Sequence, residues 1–324
     1  MDEFTNRQPP RYPRCILGTC CIPWTADFQL DEPLLRRSVR HALTHGTRRL
    51  YLFGTAGEGH AVSDRQFQQI TRAFADEMRS QDAEPMIGLI SPSLAQVLDR
   101  IEWAAGIGVR QFQLSLPSWG TCTEPEAFTF FERVCTRFPE CSFLHYNVRR
   151  AGRLLSAAEY GRLAGAFANL VAVKLAGAGG EDALAVQNAA PRLRLFLTEK
   201  AFAEGCALGV DAGFLISYAS LNWPLAQRFF EAGVAGDGAF VAEMRRQQQG
   251  VINLMREAVG TEPHMDGAFD LMFVKRYLPE FPLRLLPPYA GVSDEGFARF
   301  IDGIRQTYPH WLDNVSASAA TLPS

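Results

Sequence analysis

The stretch RLYLFGTAGEGHAVSDRQFQQITRAF, Arg49 to Phe74, contains one complete unit of the fold. Its apolar start, Leu50 to Phe53, reads as a short strand buried on both faces. Gly54, Gly57 and Gly59 break that strand into a turn. Ser63 to Gln66 then fits a capping box, in which Ser or Thr caps the first helical turn and Gln or Glu reaches back from three residues on. Phe67, Ile70 and Phe74 follow at helical period. The unit is strand, turn and capped helix.

The same order recurs along the chain. Capping boxes open at Ser63, Ser93, Thr123 and Ser156, spaced 30, 30 and 33 residues apart. Each follows a short apolar run: RLYLFG, EPMIGLI, RQFQLSL and CSFLHYN. The runs NLVAVKL, LRLFLTE and GFLIS come later, and CILGTCC precedes them all. Eight strands in βαβ units of about 30 residues close into a (β/α)8 TIM barrel of about 200–250 residues. A doubly wound open sheet would want a Gly-rich phosphate fingerprint after its first strand, and CILGTCCIPW has none. From Asn222 onward the pattern is helical only, with segments near 266–278 and 293–307, so a small C-terminal helical domain is expected. The expected organisation is a flexible arm (1–13), a barrel (14–235), a helical domain (236–312) and a flexible tail (313–324).

Composition narrows the function classes. The chain has 324 residues, 47% hydrophobic and 21% charged, which suits a globular protein with a large core. A net charge of −3 gives no support to a nucleic-acid or anionic-membrane partner. The N-terminus lacks the apolar core of a signal peptide, and no apolar run is long enough to span a bilayer. Seven scattered cysteines without a Cys-x-x-Cys pair read as free thiols in a reducing compartment, so a cytoplasmic location is expected. The histidines at 41, 45, 60, 145, 264 and 310 are mostly helical or isolated, and no metal or other cofactor is expected.

In such barrels the reactive groups lie at the C-terminal ends of strands. Three strand ends stand out. In VAVKLAG (Val171–Gly177), alternation sets Leu170, Ala172 and Lys174 on one side, and small Ala172 suits a crowded interior. An ammonium desolvated there loses its proton more readily, and a neutral amine can condense with a carbonyl. The competing reading is a strand-end lysine that snorkels to solvent or pairs with a distant acid. Tyr146 shares a face with Leu144 and Ser142, and its hydroxyl could shuttle protons or simply be a satisfied core group. The turn Gly54–Gly59 offers backbone N–H groups that could cradle a carboxylate, with the Thr55 hydroxyl beside them.

Taken in this order, the pieces resemble the dihydrodipicolinate synthase / N-acetylneuraminate lyase family of class I aldolases. The likeness runs from about Leu17 to at least Pro224. It includes CCIPWTADFQLDE, the Gly-Thr-x-Gly-Glu turn (Gly54, Thr55, Gly57, Glu58), Tyr146-Asn147-Val148, Lys174 and GVDAGFLIS. The resemblance implies that Lys174 forms a Schiff base with pyruvate or another 2-oxo acid, that Tyr146 is the acid/base, and that Thr55 belongs to a proton relay. It implies that backbone amides at Ala56 and Gly57 hold the 2-oxo acid carboxylate and that Ile216 lines the pocket. Arg150 best matches an arginine that grips a distal carboxylate. The implied partners are a 2-oxo acid, an aldehyde and further copies of the chain, in a tetramer or dimer.

The departures matter equally. Ala56 replaces a usual hydroxyl residue, Leu175 replaces an acidic one, and Ser118-Trp119 stands where the synthases carry a tyrosine pair. An indole has only an N–H donor and cannot relay a proton as a phenol can. Trp119 is reminiscent of the hydratase-aldolase branch, which handles aromatic pyruvate adducts, although that branch usually lacks Tyr-Asn-Val. A catalytically weakened family member that binds a small carboxylate is a further alternative.

Overall fold

The computed structural model describes residues 8–260 and 265–313. The expected arm over residues 1–7, the tail from 314 and His264 lie outside the described residues. Eight parallel strands follow one another in order around a closed barrel: β1 (Ile16–Thr19), β2 (Leu50–Leu52), β3 (Met86–Leu89), β4 (Gln111–Leu114), β5 (Ser142–Asn147), β6 (Leu170–Leu175), β7 (Arg194–Leu197) and β8 (Ala212–Leu215). Between them run α1 (Glu32–His45), α2 (Asp64–Ser80), α3 (Leu94–Gly106), α4 (Glu124–Arg137), α5 (Ala157–Ala166), α6 (Gly180–Ala189) and α7 (Glu199–Ala207). After β8 come α8 (Trp223–Ala235), α9 (Gly238–Val259), α10 (Asp266–Tyr277) and α11 (Asp294–Thr307). The TIM barrel expected from the repeat is therefore the architecture found.

Two of the four capping boxes, at Ser63 and Ser156, close reciprocally. Ser63 Oγ accepts from Gln66 N and the Gln66 side chain accepts from Ser63 N. Ser156 Oγ accepts from Glu159 N and the Glu159 side chain accepts from Ser156 N. At Thr123 the Glu126 carboxylate accepts from both the backbone N–H and the hydroxyl of the cap residue. At the fourth, Ser93 Oγ accepts from Gln96 N, but Gln96 Oε1 accepts instead from Ser91 Oγ at 2.6 Å. A nearer hydroxyl donor on the preceding loop has taken the glutamine.

By its internal packing the chain divides into two compact units, residues 8–17 with 86–215 and residues 18–85 with 216–313. In the first, the chain is anchored from Arg11 onward. The Arg11 guanidinium donates to the carbonyls of Ala164, Phe167 and Leu170 at 2.8, 2.9 and 3.0 Å. Tyr12 is buried and its hydroxyl bonds Gln111 Oε1. Buried Arg194 donates to the Tyr12 carbonyl and pairs with Asp211. The β5–β6 register shifts between Phe143 and Leu144, so Leu170 pairs with Phe143 while Ala172 pairs with Leu144. Strict alternation towards Lys174 therefore holds only from Ala172 on.

In the second unit, Asn222 caps α8 by accepting from Leu225 N at 2.9 Å. Its amide also donates to the carbonyls of His310, Trp311 and Asp313, which ties the start of α8 to the turn after α11. Trp311 is fully buried there.

Candidate active site

Tyr146 on β5 and Lys174 on β6 are register partners, and each is only 4% exposed. The Lys174 Nζ lies 3.8 Å from the centroid of the Tyr146 ring, within the range of a cation–π contact. The neighbour His145 fixes which way this face points. Its Nδ1 lies 2.7 Å from the Tyr160 hydroxyl on α5, and its ring meets Phe131 of α4 edge-on at 5.0 Å. His145 thus faces the helical layer, so Tyr146 and its partner Lys174 face the barrel interior. Complete burial pushes the His145 pKa down to about 3 and keeps the imidazole neutral, in line with a structural role.

The chain beyond Tyr146 is held firmly. The Asn147 side chain accepts from Leu155 N at 2.9 Å and donates to Leu155 O at 3.2 Å. Arg150 lies in the short 3-10 turn Arg149–Ala151 and is exposed. Gly152 closes that turn at φ +88°, and a Cβ there would sit 2.2 Å from Thr121 Oγ1. The loops after β5 and β4 are therefore packed too closely for any side chain at 152. Trp119, in the loop after β4, is 95% exposed. The structure thus brings Lys174 and Tyr146 together in the interior and leaves Arg150 and Trp119 on exposed loops of the same unit.

The other site residues expected from sequence belong to the second unit. Thr55, Ala56 and Gly57 are buried in the turn after β2. Within it Glu58 N donates to Thr55 O and Gly59 N to Gly54 O, at 3.1 and 3.2 Å. A Cβ on Gly57 would lie 2.8 Å from both Cys20 O and Phe53 N, so the turn presses against the end of β1. Ile216, buried just after β8, lines a cavity of about 50 Å³ with Thr19, His41 and Asp270 among others.

Glu58 proved more than a motif letter. It is 2% exposed and holds a left-handed backbone, φ +52°, which a side chain rarely adopts. Its two carboxylate oxygens accept from Trp24 Nε1 and from Leu286 N, each at 2.6 Å. Burial pushes its pKa up to about 7 against the opposing effect of those two donors. Sequence inspection missed this clamp because Leu286 lies 228 residues from Glu58. The hint available was an acidic residue between two glycines in an otherwise apolar turn.

All seven cysteines are free thiols. His41 and His45 lie with ring centroids 4.7 Å apart on α1, and burial, with His45 and Arg276 nearby, brings the His41 pKa down to about 4. Among the described residues no three His, Cys, Asp or Glu side chains gather as a metal-holding group, and no helix is long and apolar enough to cross a membrane.

Comparison with known proteins agrees with this fold. The profile of the dihydrodipicolinate synthetase family matches residues 13–265. A 4-hydroxy-tetrahydrodipicolinate synthase from Synechococcus sp. (strain CC9605) is 26% identical over 246 residues, 74% of this chain and 79% of that protein. Among solved structures, YagE, a prophage protein of the dihydrodipicolinic acid synthase family from E. coli K12 in complex with pyruvate, superposes with a TM-score of 0.77 at 18% identity, covering 90% of this chain and 98% of its own. Proteus mirabilis N-acetylneuraminate lyase gives 0.79 at 15% identity, covering 91% and 99%. At such identities the structural likeness speaks for the fold.

Proposed function

Because the chain belongs to the dihydrodipicolinate synthetase family, a family of lyases, we propose that it makes or breaks a carbon–carbon bond through a Lys174 imine of pyruvate or a related 2-oxo acid. The observation that carries this reading is the buried lysine amine held 3.8 Å from the ring of an inward tyrosine. The Lys174 amine attacks the C2 carbonyl, and loss of water from the carbinolamine gives the imine. Its nitrogen then accepts the electrons of a C3 carbanion, the intermediate that adds to an aldehyde or is left by its departure. Tyr146 supplies and removes protons at the oxygen atoms, with Thr55 as its relay. The N–H groups of Ala56 and Gly57 hold the carboxylate of the 2-oxo acid, and Ile216 lines the pocket. Arg150 grips a distal anionic group of the second substrate.

This assignment makes residues 14–235 the catalytic barrel and 236–312 an accessory helical domain. The free thiols suit a cytoplasmic protein. Tryptophan is enriched in protein interfaces, and the 95% exposed indole of Trp119 supports a homo-oligomer, dimer or tetramer. The same exposed Trp119 favours one second reading, a hydratase-aldolase that stacks an aromatic pyruvate adduct on the indole.

Oxygen exchange tests the imine route. The protein should speed incorporation of ¹⁸O from labelled water into the pyruvate carbonyl, and Lys174→Arg should abolish the acceleration. No acceleration with pyruvate or any other 2-oxo acid would reject the proposal. A panel of aliphatic and aromatic aldehydes offered with the active 2-oxo acid then separates the two readings.

A further inference from the structure

The inner face of β4 is not the branched apolar wall usual in barrel interiors. It carries Gln111 and Gln113, with buried Ser115 two residues further on. Gln113 is fully buried, and neither Oε1 nor Nε2 of its carboxamide has a hydrogen-bond partner within the protein. Its level in the barrel follows from the register. Gln113 pairs with Leu144, Leu144 with Ala172, and Ala172 with Arg194. Barrel strands are tilted, so a layer takes its side chains from alternate strands, and this register line descends until it meets β7 at its first residue, Arg194. Lys174, two residues beyond Ala172 on the same face of β6, therefore stands level with Gln113 of β4, with Tyr146 on β5 between and just above them.

The neighbours leave both need and room. On its other side Gln113 pairs with Gly88 of β3, which has no side chain, and Ala172, below Lys174 on the inner face of β6, is small. The polar groups at the bottom of the interior have protein partners: Gln111 is taken by the Tyr12 hydroxyl, and Arg194 by the Tyr12 carbonyl and Asp211. A carboxamide can donate twice and accept twice, and burying it with none of these bonds made is strongly unfavourable. Buried waters bind at such groups.

We propose that Gln113 binds an ordered water inside the barrel, at the level of Lys174 and on its β4 side, with Nε2 donating to the water or Oε1 accepting from it. The water solvates Lys174 from that side. Gln113 is then a positioning residue that acts on the lysine through solvent, and this role rests on the imine reading. The water site itself does not.

A crystal structure of the unliganded protein, at a resolution that orders solvent, tests the site. A water within hydrogen-bond distance of the Gln113 amide is expected. An amide packed dry, or bonded directly to protein groups, would overturn the proposal. The positioning role is read from the pH profile of borohydride trapping in Gln113→Met, an apolar side chain of similar length. The titratable and charged groups on this face are Lys174 in the same layer, Tyr146 just above it, and Arg194 and Tyr12 below. Without that water the ammonium form of Lys174 is less well solvated, so the acid limb should move about one pH unit lower. An unmoved profile in a variant that melts like the parent would refute the role. Should Gln113→Met not fold, or should no 2-oxo acid be trapped at all, the density at Gln113 still decides whether the water site exists.

Discussion

At the scale of the residue, Lys174 and Tyr146 show how much chemistry strand parity encodes. A lysine at the end of an apolar strand, beside a small alanine, points into the barrel for the same reason that His145 points out to Tyr160. If Tyr146 moves protons, Tyr146→Phe should still give the trapped adduct, but more slowly, and lower turnover about 10²–10⁴-fold, measured as steady-state kcat on the identified substrate pair. Glu58 and Gln113 were not legible in the same way. The partners of Glu58 come from distant parts of the chain, and the isolation of Gln113 is visible only once its neighbours are packed. Glu58 carries a pH prediction. Its folded pKa, about 7, lies above the unbound carboxyl value of 4.5, so between these values the folded chain holds a proton that the unfolded chain has released. The stabilisation is complete below about pH 4.5 and is lost as pH rises through 7, by an amount on the order of 3 kcal/mol. Urea unfolding midpoints between pH 5 and 8 should therefore fall with pH in the parent, and fall less in Glu58→Gln.

At the scale of the element, local rules carry far. Ser63, Thr123 and Ser156 begin their helices where the capping boxes place them. The exception at Ser93 is equally local, since Ser91 competes for Gln96. Ser63→Ala should cost about 1 kcal/mol, seen as a lower denaturation midpoint at an unchanged m-value. Loop packing is less readable. Nothing near Gly152 in sequence announces that Thr121 lies against it, yet the two loops leave no space for a methyl group. Gly152→Ala combines a left-handed backbone with that clash and should destabilise by about 2 kcal/mol or more, with a matching drop in midpoint.

At the scale of the whole molecule, the repeat of strand and capped helix was enough for the closed barrel, because eight buried parallel strands with short connections have few other arrangements. What periodicity cannot convey is which loop side chains the fold leaves in solvent, and Trp119 is the case in point. If association covers this indole, Trp119→Ala should shift the sedimentation distribution towards monomer at micromolar concentration. An unchanged distribution would place the contact elsewhere or nowhere. The central claim is chemical, and peptide mapping after borohydride reduction tests it most directly. With pyruvate or another 2-oxo acid present, one reduced adduct is expected, on the peptide carrying Lys174, and none in Lys174→Arg. An adduct on another lysine, or no adduct with any 2-oxo acid, would contradict the account.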